Sequence, residues 1–231
     1  MPALDRTGRR RHRGVVALAV GCPRCSTPVA SIGTGGGRAC PEHGVVTPLW
    51  RSETPSYEDL VQILSLAGDV PTYVPWPVES GWSIADLAVV GDEGKGAATL
   101  LTWTGVTPDD GPVEMTVVTE EAGVGLGARC ARTDGPDPGI EACTGPPTTR
   151  VRVGGQMVPL WPITQWTNGA EEWERSVMVG EAAGRWLWLV FRPATAMLML
   201  QDGWHLRQVD DLGVQMVELP FGGAGGSWWN H

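Results

Sequence analysis

The sequence predicts an α+β protein: an N-terminal zinc ribbon-like module followed by a mainly antiparallel β-sheet domain with a few short helices. Three observations carry this expectation. Two ligand pairs of two-residue spacing, Cys22-Pro-Arg-Cys25 and Cys40-Pro-Glu-His43, are separated by the fourteen residues from Ser26 to Ala39. That is the spacing of one tetrahedral site built from two knuckles. From Trp82 onward, short apolar or alternating runs are split by turns rich in Gly and Asp, the signature of a meander. One stretch, Thr54–Gly68, carries the apolar spacing of a helix instead.

In chain order, residues 1–20 read as a solvated basic tail. An alternative is that translation begins later, with Val15, Val16 or Val20 encoded by a GTG start. Arg9-Arg10-Arg11-His12-Arg13 and the apolar run Val15–Val20 superficially resemble a signal peptide. The run is too short for one, and no small-residue cleavage site precedes Cys22. Residues 21–50 form the metal module, with Pro23 and Pro41 stiffening the knuckles and Gly44 free to take a left-handed conformation. Four protein ligands leave no open position, so the expected role of zinc is structural. So small a module has little core, and metal binding, on the order of 10–16 kcal/mol in zinc-finger peptides, supplies most of its folding energy. A redox Cys-x-x-Cys or an iron–sulfur site are the competing readings. The first leaves Cys40 and His43 unexplained.

The α+β domain is expected over residues 54–221. In Thr54–Gly68, Thr54 or Ser56 caps the helix, Glu58 and Asp59 sit at its positive end, and Leu60, Ile63, Leu64 and Ala67 form its packing face. Pro71–Trp82 is extended and aromatic, sealing one end of the core or forming a partner-binding groove. Strands are expected at Trp82–Val90, Ala97–Val106, Val113–Glu121, Thr149–Val153, Met157–Trp161, Arg175–Val179 and Arg185–Phe191. The last two are joined by a hairpin around Gly180–Gly184. Trp186–Phe191 is apolar on both faces and therefore reads as a central strand. Ala194–Gln201 and His205–Leu212 read as short helices, with Gly213 as a stop. Residues 222–231 read as a flexible glycine-rich tail.

Charge divides the chain. Its 231 residues carry a formal net charge of −9. Residues 1–51 hold eight Arg against two acids, whereas residues 52–231 hold nine basic against twenty-four acidic residues. An acidic body repels a phosphate backbone, so contact with nucleic acid is expected only from the front end. Gly, Pro and Arg are plentiful and only one Lys is present, a bias that GC-rich codons produce. Twelve Trp against two Phe and two Tyr make the chain tryptophan-rich, and Trp is expected to supply the aromatic volume of the core. No apolar run reaches transmembrane length. With three of five Cys assigned to the metal, Cys130 and Cys143 read as two unrelated thiols, and a cytoplasmic location is expected.

Two constellations are weighed as chemistry. Glu120-Glu121-Ala122-Gly123-Val124-Gly125-Leu126-Gly127-Ala128-Arg129 places glycines at every second position. The amides of Gly123, Gly125 and Gly127 with Arg129 would make an anion or ligand loop, but the spacing is neither a dinucleotide fingerprint nor a phosphate loop. An ordinary loop is the competing reading. His205, near Asp202, Asp210 and Asp211, is either an acid–base residue or a structural histidine. No nucleophile motif accompanies it, and no catalytic residue is assigned.

The chain resembles a family of uncharacterised actinobacterial proteins known only as a domain of unknown function. The resemblance rests on Cys22-Pro-Arg-Cys25, Cys40-Pro-Glu-His43-Gly44, Val74-Pro75-Trp76-Pro77 with Gly81-Trp82, and Glu121–Arg129. Asp134-Gly135-Pro136-Asp137-Pro138-Gly139, Val179-Gly180-Glu181, Trp186-Leu187-Trp188 and Leu219-Pro220-Phe221-Gly222 complete it. It covers about residues 21–223. Residues 1–20 depart from the pattern, as does Ser26 where Gly is usual. The resemblance implies no established activity. The resulting expectation is a zinc-binding, non-catalytic interaction or regulatory protein, its partner a protein or structured RNA met through the positive N-terminal module. The alternative is an enzyme of acyl- or phosphoryl-transfer type that acts on a small anionic metabolite through the Gly123–Arg129 loop.

Overall fold

Alternation along the strands builds one large sheet with a buried face on each side. The computed structural model describes residues 18–33, 37–92, 94–108, 110–139, 142–163, 174–201, 205–225 and 229. In chain order the strands are β1 (Ala19–Gly21), β2 (Ala30–Ile32), β3 (Gly37–Cys40), β4 (Gly44–Val46) and β5 (Leu49–Arg51), followed by helix α1 (Tyr57–Ala67). Next come β6 (Tyr73–Trp76), β7 (Ser83–Asp92), β8 (Lys95–Thr107), β9 (Gly111–Glu120) and helix α2 (Leu126–Ala131). Then follow β10 (Thr149–Val153), β11 (Gln156–Pro162), β12 (Ser176–Ala182) and β13 (Arg185–Arg192). A 3₁₀ segment (Ala194–Gln201), β14 (His205–Gln208) and a second 3₁₀ segment (Val209–Glu218) close the order.

Eleven strands form the main sheet in the order β1-β5-β7-β8-β9-β13-β12-β11-β10-β14-β6, and β2-β3-β4 form a separate three-stranded sheet. All pairings are antiparallel except β10 with β14. The small sheet lies, in sequence, between β1 and β5, which pair with each other through Ala19–Arg51, Val20–Trp50 and Gly21–Leu49. The expected metal module is thus an excursion from the main sheet, held at both ends by it.

One face of the sheet carries Leu87, Val89, Leu101, Trp103, Met115, Val117, Leu187, Leu189 and Phe191, and packs with Leu60, Ile63 and Ala67 of α1. The other carries Ala88, Val90, Leu100, Val118, Trp188 and Val190, and packs with Leu126, Ala128, Cys130 and Ala131 of α2. The expectation for Trp186–Phe191 is met: β13 lies between β9 and β12 with both faces covered. A register shift between Ile84 and Asp86 sets the phase of β7. It leaves Ile84 and Leu87 in the same core, because one extra residue on a strand reverses the alternation beyond it.

The predicted helix forms, capped as proposed by Ser56, whose Oγ accepts from Asp59 N at 3.2 Å. Three expectations are corrected. His205–Leu212 is not a helix: His205–Gln208 is a strand that pairs with Tyr73–Trp76 and touches β10. Four residues carry too little periodicity to separate the two states, and pairing with neighbouring strands decides. The remaining part, from Val209, is 3₁₀, and Gly213, non-helical at φ 55° and ψ −125°, divides Val209–Glu218 into two turns, as expected of a stop. The stretch after Gly125, read as loop, contains α2. Within the expected flexible tail, Trp229 is 2 % exposed and packs in the second core. Pro71–Trp82 contributes β6 at the sheet edge, where Pro75 costs no ladder hydrogen bond. No helix among the described residues is long and apolar enough to cross a membrane.

Candidate metal centre and the cleft beside it

Cys22 follows β1 and Cys25 ends the turn that Pro23 and Arg24 make. Cys40 closes β3, and because Cys40 pairs with Gly44, the three residues between them are a tight turn that carries His43 back over the strand end. The ligand atoms of Cys22, Cys25, Cys40 and His43 all lie within 4.8 Å of one another. Cys25 Sγ is 3.5 Å from Cys40 Sγ, and His43 Nδ1 is 3.7 Å from Cys22 Sγ and 3.6 Å from Cys40 Sγ. These are the separations of ligands around one tetrahedral ion with bonds of about 2.0–2.3 Å. Cys22 is 0 % and Cys40 2 % exposed, while Cys25 and His43 are half-buried. Burial pushes the Cys22 thiol up to about 11, against the amides of Arg24 and Cys25, which pull it down.

The module carries little apolar weight of its own: β2 is exposed throughout and β4 nearly so. It docks on the sheet through crossed arginines. Arg24 donates to the carbonyls of Gly123 and, at 3.1 Å, Val124. Arg129 Nη1 donates to the carbonyl of Cys22 at 2.8 Å. Each side therefore satisfies backbone acceptors of the other, and one of those acceptors belongs to Cys22, a member of the Cys₃His cluster.

The glycine stretch is built for packing. Gly125 has φ 87°, a left-handed conformation that L side chains rarely adopt. At Gly127 a Cβ would lie 2.3 Å from Trp188 Cδ1, so α2 can approach the indole only without a side chain there. Of the three amides expected to receive an anion, those of Gly123 and Gly127 donate within the chain. Gly123 N donates to Asp137 Oδ1 at 2.8 Å. Leu126 N and Gly127 N donate to Glu120 Oε2 and Oε1 at 2.8 and 3.2 Å. Glu120 thus caps α2 from the preceding strand. Its burial pushes the carboxyl up to about 7 even though those two amides pull it down.

A second buried carboxylate holds the outer edge of this region. Asp86 is fully buried. It accepts Arg51 Nε at 2.9 and 3.1 Å, Leu87 N at 2.9 Å and Trp229 Nε1 at 2.9 Å. Burial raises it to about 6, opposed first by the charge of Arg51. The Trp229 ring lies beneath two cations, Arg129 at 4.9 Å and Arg51 at 5.4 Å from its centroid.

Between the module and α2 opens a cleft of about 550 Å³. Arg24, Cys25, Ser26 and His43 line it from the module; Arg129, Arg132, Thr133 and Asp134 line it from α2 and the residues after it, and Trp229 also contributes. Of the sequence-predicted residues, the four metal ligands come together, and Gly125 and Arg129 line the cleft beside them. His205 does not: it lies on β14, paired with Trp76 and Arg152, and lines no part of this cleft. Cys130 and Cys143 are both free thiols. Asp86, Glu120, Arg51 and Trp229 were not singled out as site residues from the sequence. The available signal was a carboxylate inside an apolar strand, Ile84-Ala85-Asp86-Leu87-Ala88-Val89-Val90.

Fold and site define a predominantly antiparallel β protein in which a Cys₃His ligand set, carried on a three-stranded excursion, is clamped to the main sheet. The chain matches DUF6758, a family of unknown function, over residues 17–227, and belongs to that family. No curated protein and no solved structure matches it.

Proposed function

We propose that the protein is a zinc-binding, non-catalytic interaction protein in which Cys22, Cys25, Cys40 and His43 hold one structural Zn²⁺. The observation that carries this reading is the convergence of these four ligand atoms within 4.8 Å. Three thiolates and one imidazole in that arrangement favour zinc over oxygen-preferring cations, and they complete a tetrahedral shell without substrate or water. The ribbon has almost no apolar core, so the ion fixes its shape, and the Arg24 and Arg129 contacts fix its position on the sheet. The function of such a module is to present a rigid surface that follows, in sequence, a positively charged N-terminal segment. Eight arginines stand against two acids in the first 51 residues, a balance that favours structured RNA or an acidic protein face as partner.

Elemental analysis of the purified protein tests the metal: about one zinc per chain is expected, and Cys22→Ser should lose it. A metal-free protein with an intact ribbon would overturn the reading. The partner is tested on the whole chain, since deletion of residues 1–51 removes β1 and β5 from the main sheet. Replacing Arg9, Arg10, Arg11 and Arg13 by Gln should weaken binding to structured RNA and flatten its dependence on salt. Binding that is independent of salt and unchanged in this variant would rule out a charge-driven partner.

A further inference from the structure

The cleft between the metal module and α2 has a lining unlike the rest of this acidic chain. Three arginines, Arg24, Arg129 and Arg132, face one lining carboxylate, Asp134. The hydroxyl residues Ser26 and Thr133 also line it, and all of these except Arg129 and Thr133 are exposed. Guanidinium groups and hydroxyls converging on one concavity are the donor set that recognises the oxygens of a phosphate. The volume, about 550 Å³, falls in the range of small-molecule sites.

A second observation comes from the metal set itself. His43 turns Nδ1 toward Cys22 and Cys40, so when it ligates through that atom its Nε2 carries the proton. A ligating histidine almost always passes that N–H to an acceptor, which fixes its ring. Among the described residues no hydrogen bond from His43 Nε2 is formed, and His43 lines the cleft.

We infer that this cleft binds a phosphate group, carried either by a small phosphorylated ligand or by an RNA backbone, with Arg132, the remaining guanidinium nitrogen of Arg24 and the Ser26 hydroxyl as its donors and His43 Nε2–H as the link to the metal; Arg24 Nε and Nη2 and the Thr133 hydroxyl already donate to backbone carbonyls. The site differs from the amide loop weighed in the sequence, whose Gly123 and Gly127 amides Asp137 and Glu120 already engage. It rests on the metal reading only for the role of His43. Phosphate binding thereby couples to the metal centre, each making the other tighter.

The test is calorimetric titration of the full-length protein, as purified, with pyrophosphate, a nucleoside 5′-monophosphate and a short single-stranded RNA. Saturable binding of pyrophosphate or the nucleotide, weakened about tenfold in Arg132→Gln, is expected for a small ligand. Binding of the RNA alone with the same sensitivity assigns the phosphate to a nucleic-acid backbone. Arg132 is the C-cap residue of α2, so thermal melting of this variant beside the parent checks that its fold is kept; Ser26→Ala is a second, milder variant expected to weaken binding in the same direction. No binding of any probe, or affinities unchanged in both variants, overturns the inference. Substituting Co²⁺ for the native metal then locates the ligand, because a bound phosphate beside His43 should show strongly enhanced ³¹P relaxation. Absent cobalt–thiolate bands count against the metal reading alone, and the calorimetric result still decides the cleft. Cobalt bands with unenhanced phosphate relaxation count against the cleft.

Discussion

The indole nitrogen of Trp229 donates to Asp86 Oδ2 at 2.9 Å, across 143 positions of sequence, and both residues are buried. The same ring supports the guanidinium of Arg129, whose Nη1 reaches the carbonyl of Cys22. A chain of contacts therefore runs from Cys22 through Arg129 and Trp229 to Asp86 and Arg51 on the main sheet. The far end of the sequence braces the module near its beginning.

That bracing predicts a graded response at Trp229. Trp229→Phe keeps an aromatic ring but leaves Asp86 short of one donor, and should cost about 1–3 kcal/mol. Trp229→Ala also removes the ring and should cost about 3–5 kcal/mol. Urea denaturation of both variants measures this. Equal, near-zero losses would show that the tail contact carries no stability.

Loss of the metal should be local. In Cys22→Ser, or in protein stripped by a strong chelator, the ribbon between β1 and β5 should open while the two sheet cores persist. Proteolysis should then cut between residues 26 and 46 much faster than in the parent, with the β-sheet circular dichroism largely retained. Unchanged cleavage of the stripped protein would contradict metal-dependent folding of the ribbon.

Stability should fall as pH rises through the titration of Glu120 and Asp86. Burial raises Glu120 to about 7 from 4.5 and Asp86 to about 6 from 3.8. A raised carboxyl binds its proton more tightly in the folded state than in the unfolded one. Its contribution is present in full below the unfolded value and is lost as pH climbs through the folded value. The window runs from about pH 4 to 7, and the Glu120 contribution is on the order of 3 kcal/mol. Glu120→Gln should be less stable than the parent at low pH and should show a flatter profile between pH 5 and 7. A parallel profile would mean that Glu120 titrates alike in both states.

Gly127 should tolerate no side chain. A Cβ there would lie 2.3 Å from the Trp188 indole, which is itself fully buried, so neither partner yields cheaply. Gly127→Ala should cost roughly 1–3 kcal/mol by overpacking, read as a lower urea midpoint. Wild-type stability in this variant would mean that α2 does not rest on Trp188.

The sequence by itself determined what depends on neighbours a few residues apart. Cys22 with Cys25, and Cys40 with His43, each share one turn, so their spacing declares a ligand pair before any fold is known. The strands from β7 to β13 are legible for the same reason, since alternation along a strand is a local property, and Ser56 was visible as a cap because its partner is Asp59. What only the tertiary structure decided are the pairings between distant segments. Glu120 caps a helix whose own N-cap residue, Gly125, has no side chain to do so. The glycines after it exist for a left-handed turn and for Trp188, a residue about sixty positions away. His205 became a strand because Trp76 and Arg152 lie on either side of it. The metal pairs were readable as chemistry, but the cleft beside them was not, because its walls meet only when the ribbon docks on α2. The physical reason is that ligand spacing and periodicity are written along the chain, while burial and charge pairing arise only where the sheet brings remote residues together.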